Sequence, residues 1–357
     1  MDRRRSIRKR PDRPDRRVGE RLQTTCRRLP HDRTCGKDRS MNGWLREVGQ
    51  DTMRRLIDRA EPGVTRYVAR PIKDYQLPLI VIRGSRDGPR VCVSAGVHGS
   101  EYCAIEAAQR LLAMSPMEIR GTLVVAPLVN TPGFSKRSVY TSPLDDKNLN
   151  RVFPGDPVGT PTEQVAHWFA NEVLSQVDAY IDLHCGDLNE ALEPFTLFRE
   201  GDGEAERLAR VFGFPVAIAS PATGMTISAA AAFGVPAIIA EAGGGGRYDS
   251  EAVDRLVDGV QRVLQELQVT ERRAPQREHD NTINILRCVG AVADVGGLWY
   301  PNCSVGSFVE ANSGLGCIRN LYGDDVASVT APVAGKVMFH ISSLAVNPGE
   351  TVAGICF

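Results

Sequence analysis

Three apolar segments of this chain each run into a polar residue with glycine close by. The polar residues are His98, His184 and Glu241, at the ends of segments that begin at residues 91, 179 and 235. Apolar runs of this length predict buried strands, and the helix-like spacing between them predicts alternating strands and helices. Parallel strands end along one edge of a sheet, where open α/β folds bind ligands. We therefore expect an α/β fold with a mostly parallel or mixed sheet flanked by helices.

His98 and Glu101 lie three residues apart, where the first strand gives way to a helix predicted over residues 104–112. A neutral imidazole and a carboxylate suit zinc, but a catalytic zinc usually has a third protein ligand and an open position. The alternative is a loop histidine beside a glutamate that the helix dipole favours. His184 is the candidate third ligand. Asp182 points to the same side of that strand, either as a partner of His184 or as a buried polar group bonded to the backbone.

Glu241 ends a buried strand and precedes a run of glycines. Loss of solvent would raise the pKa of its carboxyl, which suits a general base acting on a metal-activated water. A carboxylate that caps neighbouring backbone amides is the alternative. A polar loop over residues 145–155 contains Asn150 and Arg151, and arginine is well suited to hold a substrate carboxylate. A solvated loop is the alternative there.

Together, four motifs resemble the succinylglutamate desuccinylase/aspartoacylase family, a branch of the zinc carboxypeptidase-like hydrolases. They are His98-Gly-Ser-Glu101, Asn148-Leu-Asn-Arg-Val-Phe-Pro-Gly155, Asp182-Leu-His184 and Glu241-Ala-Gly-Gly. They occur in the family's order, and the resemblance covers roughly residues 55–357. The resemblance implies a zinc carboxypeptidase-like fold, with one zinc ion per subunit bound by His98, Glu101 and His184. It also implies that Glu241 is the general base.

The resemblance further implies that Asn150 and Arg151 hold the substrate carboxylate. Members of the family also use an arginine upstream of this pair to polarise the scissile carbonyl. The matching segment here is Phe134-Ser-Lys-Arg-Ser-Val-Tyr140, in which the alignment can place Tyr140 at the position of that arginine. Arg137 is then the candidate for the polarising role, and Tyr140 is assigned to substrate binding.

The leading hypothesis is a zinc-dependent deacylase that acts on an N-acylated amino acid or a related small carboxylate. One alternative is a metallocarboxypeptidase, which would release a free C-terminal amino acid from a peptide. An alternative of another class is a catalytically inactive binding protein that uses a basic leader. The expected partner is a small-molecule substrate, with neither nucleic acid nor a membrane. The acyl group, the amine and homo-oligomerisation remain open.

Charge divides the chain, although its formal net charge is zero. Residues 1–40 contain 15 Lys or Arg and 6 Asp or Glu, and we expect a disordered basic leader there, with Met41 as the functional start. A zinc hydrolase catalytic domain is predicted over residues 41–270, a linker over 271–281 and a small all-β domain over 282–357. Two segments of this last part, Ala331-Pro-Val-Ala-Gly-Lys-Val337 and Val346-Asn-Pro-Gly-Glu-Thr-Val352, resemble repeats of biotinyl and lipoyl barrel-sandwich domains.

Targeting and cysteine patterns favour a cytoplasmic protein. The leader lacks an apolar core of the length found in secretory signals, and no apolar stretch reaches the roughly 20 residues of a membrane span. The nine cysteines are scattered and include no Cys-x-x-Cys motif. Neither a disulfide framework nor a thiolate zinc site is therefore expected.

Overall fold

The computed structural model describes residues 45–48, 52–275 and 283–357. Trp44–Phe357 form one compact unit. The predicted leader over residues 1–40 lies outside the described residues, as do residues 276–281 of the predicted linker. Among the helices of the described ranges, none is long and apolar enough to cross a bilayer.

A ten-stranded mixed sheet forms the centre of the fold. Its strands, in the order in which they lie side by side, are β1 (Leu45–Glu47), β2 (Gly63–Ala69), β3 (Leu77–Arg83), β5 (Arg120–Ala126), β4 (Arg86–Ala95), β6 (Ala179–His184), β10 (Ala237–Glu241), β8 (Phe195–Arg199), β9 (Val216–Ser220) and β11 (Asn284–Leu286). The central strands β5, β4, β6 and β10 are parallel, and β3 and β8 flank them antiparallel. The predicted strand ends therefore meet at one edge.

Seven α-helices of the described ranges accompany the sheet. They are α1 (Met53–Asp58), α2 (Tyr102–Leu111), α3 (Thr131–Lys136), α4 (Pro161–Glu172), α5 (Gly203–Phe212), α6 (Thr226–Ala232) and α7 (Ser250–Glu266). Short 3-10 turns cover Pro116–Glu118, Leu149–Arg151 and Leu174–Gln176. Helices α2, α5 and α7 share one core with one face of the sheet, and α1, α4 and α6 share another with the opposite face. Since successive strand residues alternate between faces, the two cores explain why the central strands are apolar throughout.

The chain after β11 forms two antiparallel sheets. Their strands are β12 (Cys288–Val292), β13 (Gly297–Pro301), β14 (Phe308–Val309), β15 (Gly314–Arg319), β16 (Asp325–Thr330), β17 (Gly335–Ile341), β18 (Ala345–Val346) and β19 (Thr351–Cys356). A short strand from the earlier part of the chain, β7 (Glu190–Leu192), pairs with β17. The side chain of Trp299 is buried between the sheets and donates a hydrogen bond to the carbonyl of Ile341. The mixed α/β sheet with antiparallel sheets behind it confirms the predicted fold class.

One disulfide corrects the expectation drawn from cysteine spacing. Cys288 and Cys356 pair directly across β12 and β19, with their Cα atoms 4.1 Å apart. Strand pairing brings these residues together from 68 positions apart, and no local pattern signals such a contact. The expectation of no disulfide is therefore wrong for this pair.

Candidate active site

Three adjacent strands deliver the predicted functional residues to one edge of the sheet. Strand β6 lies between β4 and β10 and is parallel to both. His184 is the last residue of β6 and pairs in register with Glu241, the last residue of β10. Residues in register on neighbouring strands project from the same face, so both side chains leave the sheet on one side. His98 follows the end of β4 by three residues.

The turn between β4 and α2 brings His98 and Glu101 into place. Gly96 adopts a positive φ of 64°, which glycine tolerates, and its carbonyl accepts a hydrogen bond from Asn130 N at 2.7 Å. Gly99 lies against the start of α3, where an added Cβ would be 2.1 Å from the backbone nitrogen of Phe134. The chain can follow this path only with glycine at position 99.

We expect Gly99→Ala to destabilise the protein by about 1–3 kcal/mol, the usual cost of overpacking, and to lower the content of any divalent metal that the cluster binds. The added methyl group meets backbone atoms, which cannot rotate away as a side chain could. Gly203→Ala is the matched control, since a Cβ at Gly203 meets no atom within 4 Å. Urea unfolding and metal analysis of both variants test the expectation, and equal stability of Gly99→Ala and wild type would contradict it.

His98, Glu101 and His184 form a compact cluster. Nδ1 of His98 lies 2.7 Å from Oε1 of Glu101, and Nδ1 of His184 lies 2.9 Å from Oε2 of the same carboxylate. One ligand atom from each residue lies within 4.8 Å of the others, and all three side chains are buried. Both histidines therefore direct the same ring nitrogen to one carboxylate.

Asp182 supports His184 from behind. Its Oδ2 lies 3.0 Å from Nε2 of His184, at an angle that does not make a hydrogen bond. Asp182 is fully buried and accepts hydrogen bonds from Ser94 Oγ at 2.6 Å and Thr226 Oγ1 at 2.7 Å. Histidines that bind metals commonly direct the second ring nitrogen to such a carboxylate. The structure therefore places Asp182 where a partner of His184 is predicted.

The donor set fits a divalent metal such as zinc. Two imidazoles and one carboxylate, with room for another ligand, are the chemistry of catalytic zinc sites. Burial alone would lower the pKa of His184, but the charges of Glu101 and Asp182 outweigh burial and raise this pKa well above its usual range. Such an excess of buried negative charge is what a divalent cation neutralises.

Glu241 is a half-buried residue whose strand end lies beside that of His184. Withdrawal from water raises its pKa well above the usual range; the positive charge of His184 opposes this rise, and the negative charge of Glu101 adds to it. The chains that follow β6 and β10 stay paired beyond His184 and Glu241, because Gly186 N donates a hydrogen bond to Gly243 O at 3.0 Å. A carboxyl that extends from a paired strand end beside the cluster, with a raised pKa, has the properties of a proton acceptor.

The polar loop reaches the cluster through Asn148. Its Oδ1 lies 3.0 Å from Nε2 of His98 and accepts a hydrogen bond from Asn150 N. Asn150 is buried and its Oδ1 accepts from Thr226 N at 2.9 Å, while Arg151 is exposed and donates to the carbonyl of Asn150. Asn148 and Asn150 thus hold the loop against the cluster and helix α6, whereas Arg151 faces solvent. Sequence reasoning did not assign Asn148 to the site, although it belongs to the same motif.

Tyr140 and Arg137 occupy different environments, although both have a positive φ of 55°. The Tyr140 ring packs edge-on against His98, with centroids 5.6 Å apart, and its hydroxyl donates to Glu190 at 2.9 Å. Arg137 ends helix α3, is exposed, and makes no ion pair or hydrogen bond through its side chain to the described residues. The structure therefore brings Tyr140 to the cluster and leaves the guanidinium of Arg137 free. Its role in polarising the carbonyl stays a prediction.

Two acidic residues that sequence reasoning missed, Asp187 and Glu190, contact Tyr140. Asp187 is buried and accepts a hydrogen bond from Tyr140 N at 2.8 Å. Glu190 faces the Tyr140 hydroxyl, and burial raises its pKa to about 7, with Glu101 adding to the rise and Tyr140 opposing it. The only sequence signal was their position in the polar segment that follows His184.

A cleft of about 550 Å³ opens beside these residues. Its walls come from the β7 segment, from the glycine-rich turn after β10 and from the chain after β17. The polar lining residues are Glu190, Arg247, Tyr248, Asp249, Ser250 and Ser342. Glu190 connects this cleft to the cluster, since its hydrogen-bond partner Tyr140 packs against His98.

A mixed sheet with a His-Glu-His cluster at the carboxyl ends of its central strands defines the zinc carboxypeptidase-like class of folds. Within that class, this chain belongs to the succinylglutamate desuccinylase/aspartoacylase family. The model of the succinylglutamate desuccinylase/aspartoacylase catalytic domain matches residues 87–267. This span contains His98, Glu101, His184 and Glu241.

Individual relatives agree with this assignment. The chain is 32% identical over 197 residues to N-alpha-acetyl-L-2,4-diaminobutyric acid deacetylase of Halomonas elongata, a match that covers 53% of this chain and 57% of that protein. It is similar to a succinylglutamate desuccinylase/aspartoacylase structure from Rhodobacter sphaeroides, with TM-score 0.75 and 26% identity over 83% of this chain and 95% of that one. The product-bound ectoine utilization protein EutE (DoeB) from Ruegeria pomeroyi gives TM-score 0.73 and 25% identity, with coverages of 83% and 96%.

Proposed function

We propose that the protein is a zinc-dependent amide hydrolase that removes an acyl group from an N-acylated amino acid or a related small carboxylate. The observation that carries this proposal is the buried His98–Glu101–His184 cluster with Glu241 in register beside His184. Membership of a family named for a desuccinylase and an acylase supports the reaction class, as does similarity to a deacetylase.

In this proposal one zinc ion per subunit is held by His98, Glu101 and His184. Bound zinc supplies a Lewis acid that lowers the pKa of water and polarises a carbonyl. Asn148 and Asp182 fix the two imidazole rings from behind, so that Nδ1 of each ring stays directed at the cluster. The ligands are buried and held by neighbouring strands, which limits their movement during the reaction.

Glu241 accepts a proton from the attacking water, whose oxygen forms a bond to the acyl carbon. The same carboxyl then returns the proton to the departing nitrogen as the carbon–nitrogen bond breaks, which leaves a carboxylate and a free amine. Asn150 and Arg151 hold the substrate carboxylate, and Arg137 turns towards the scissile carbonyl. Tyr140 forms the wall of the substrate site next to His98.

We propose that the chain consists of a catalytic domain over residues 41–270, a linker over 271–281 and a small β domain over 282–357. We also propose that the protein is located in the cytoplasm. The leader over 1–40 has no catalytic part in this proposal. Its deletion should therefore leave hydrolysis unchanged, whereas a binding protein that relies on the leader would lose its function.

Metal analysis of the purified protein, combined with a panel of N-acetyl and N-succinyl amino acids, tests the proposal. We expect about one zinc per chain, loss of turnover after chelation and recovery with added zinc. Zinc at 1,000-fold above its dissociation constant should also stabilise the fold by about 4 kcal/mol relative to the apoprotein. Absence of zinc together with no turnover across the panel would refute the proposal. Release of C-terminal amino acids from peptides would instead favour the carboxypeptidase alternative.

A further inference from the structure

The carboxyl of Glu190 is held in the wall of the cleft by two separate parts of the chain. Strand β7 pairs with β17, and Glu190 lies opposite Ile341 in this ladder. Its backbone nitrogen also donates to Asp187 O at 3.2 Å. The side chain therefore starts from a fixed backbone and lines the cleft, and its hydrogen bond from Tyr140 connects it to the ring that packs against His98.

One oxygen of this carboxyl has no protein partner. Oε2 accepts the hydrogen bond from Tyr140, while Oε1 accepts none from the described residues and is not enclosed. No lysine or arginine pairs with Glu190 in the described ranges. Arg247 lines the same cleft without forming an ion pair to it. A partly buried carboxylate without a cationic neighbour is costly unless a ligand supplies the opposite charge.

The charge around the cluster also favours a cationic ligand. The carboxyls of Glu101 and Asp187 repel a negative charge on Glu190, so a cationic ligand at Glu190 would stabilise that charge. Glu190 does not belong to a second metal site, because the described residues contain a single group with metal-ligand geometry. A hydrogen-bond donor with positive charge, such as an ammonium, matches the free oxygen.

We infer that Glu190 determines specificity by binding an ammonium group of the substrate, so that the preferred substrate class is an N-acylated amino acid with a second, cationic amine. The inference rests on the proposed function. Tyr140 is a positioning residue in this arrangement, since its hydroxyl fixes the Glu190 carboxyl through Oε2 and leaves Oε1 for the ligand.

The test compares Nα-acetyl-L-2,4-diaminobutyrate with Nα-acetyl-L-norvaline, which has nearly the same shape but no charge. Wild type should prefer the cationic substrate in kcat/KM. Glu190→Gln keeps an acceptor for Tyr140 but loses the charge, and it should reduce this preference by about ten- to hundredfold, mainly through KM. Glu193→Gln is the matched control, since the Glu193 carboxylate instead contacts Lys336 Nζ at 3.3 Å.

Binding of the free amino acids L-2,4-diaminobutyrate and L-norvaline to the zinc-loaded proteins, measured by calorimetry, provides a readout independent of turnover. The affinity ratio should fall in Glu190→Gln and stay unchanged in Glu193→Gln. An unchanged ratio in Glu190→Gln, or a wild type that prefers norvaline, would overturn the inference. Failure of the proposed function has a different signature, namely no hydrolysis of either substrate, and the binding ratio then still decides the role of Glu190.

Discussion

Glu241→Gln should lower kcat by about 10²- to 10⁴-fold, the usual contribution of a general base, while zinc remains bound. Glutamine has the shape of the protonated carboxyl but cannot accept a proton from water. Glu241 is absent from the group with metal-ligand geometry, so its replacement should not release the metal. Steady-state kinetics and metal analysis on the same preparation measure both quantities.

The matched control for this change is Glu251→Gln, an exposed glutamate in the first turn of α7. The Glu251→Gln variant carries the same chemical change ten residues after Glu241 and should leave kcat unchanged. Near-wild-type turnover in Glu241→Gln would remove Glu241 from the reaction. Loss of zinc in this variant would instead show that Glu241 supports the metal site, and the kinetic effect would then need another explanation.

The strands and three of the site residues could be predicted because their signals are local. An apolar run interrupted by a histidine or glutamate predicts both a buried strand and a functional end, and parallel strands bring such ends together. The start of α4 depends on equally local contacts, since Thr160 N donates a hydrogen bond to Glu163 Oε2, three residues away, at 2.8 Å. Each of these features depends on residues that are close in the sequence.

The parts that escaped prediction depend on contacts between distant segments. Glu190 enters the cleft wall because β7 pairs with β17, about 150 residues further along the chain. The disulfide partners likewise meet only through the pairing of β12 with β19. Sequence assigned Tyr140 to substrate binding and Arg137 to the carbonyl, but it could not show the direction of either side chain, because both residues have a positive φ.

Glu101→Gln should lower zinc affinity by at least about 100-fold. Structural zinc sites in peptides bind with about 10–16 kcal/mol shared among four ligands, so one ligand contributes roughly 3 kcal/mol. Glu101 is the residue in contact with both imidazoles, and its Oε2 also accepts a hydrogen bond from Cys185 N at 3.2 Å. Glutamine fills the same space but removes the charge and directs an NH₂ group at one of the imidazole nitrogens.

Competition with a chelator of known affinity measures this change on purified wild type and variant. Glu106→Gln is the matched control, because Glu106 lies one turn further along α2 and pairs with Arg110 at the surface. If Glu101→Gln binds zinc as wild type does, the carboxylate is not a ligand, and its place between the histidines serves only to orient them. If zinc is lost while the unfolding free energy of the apoprotein is unchanged, the buried carboxylate acts through the metal rather than through the fold.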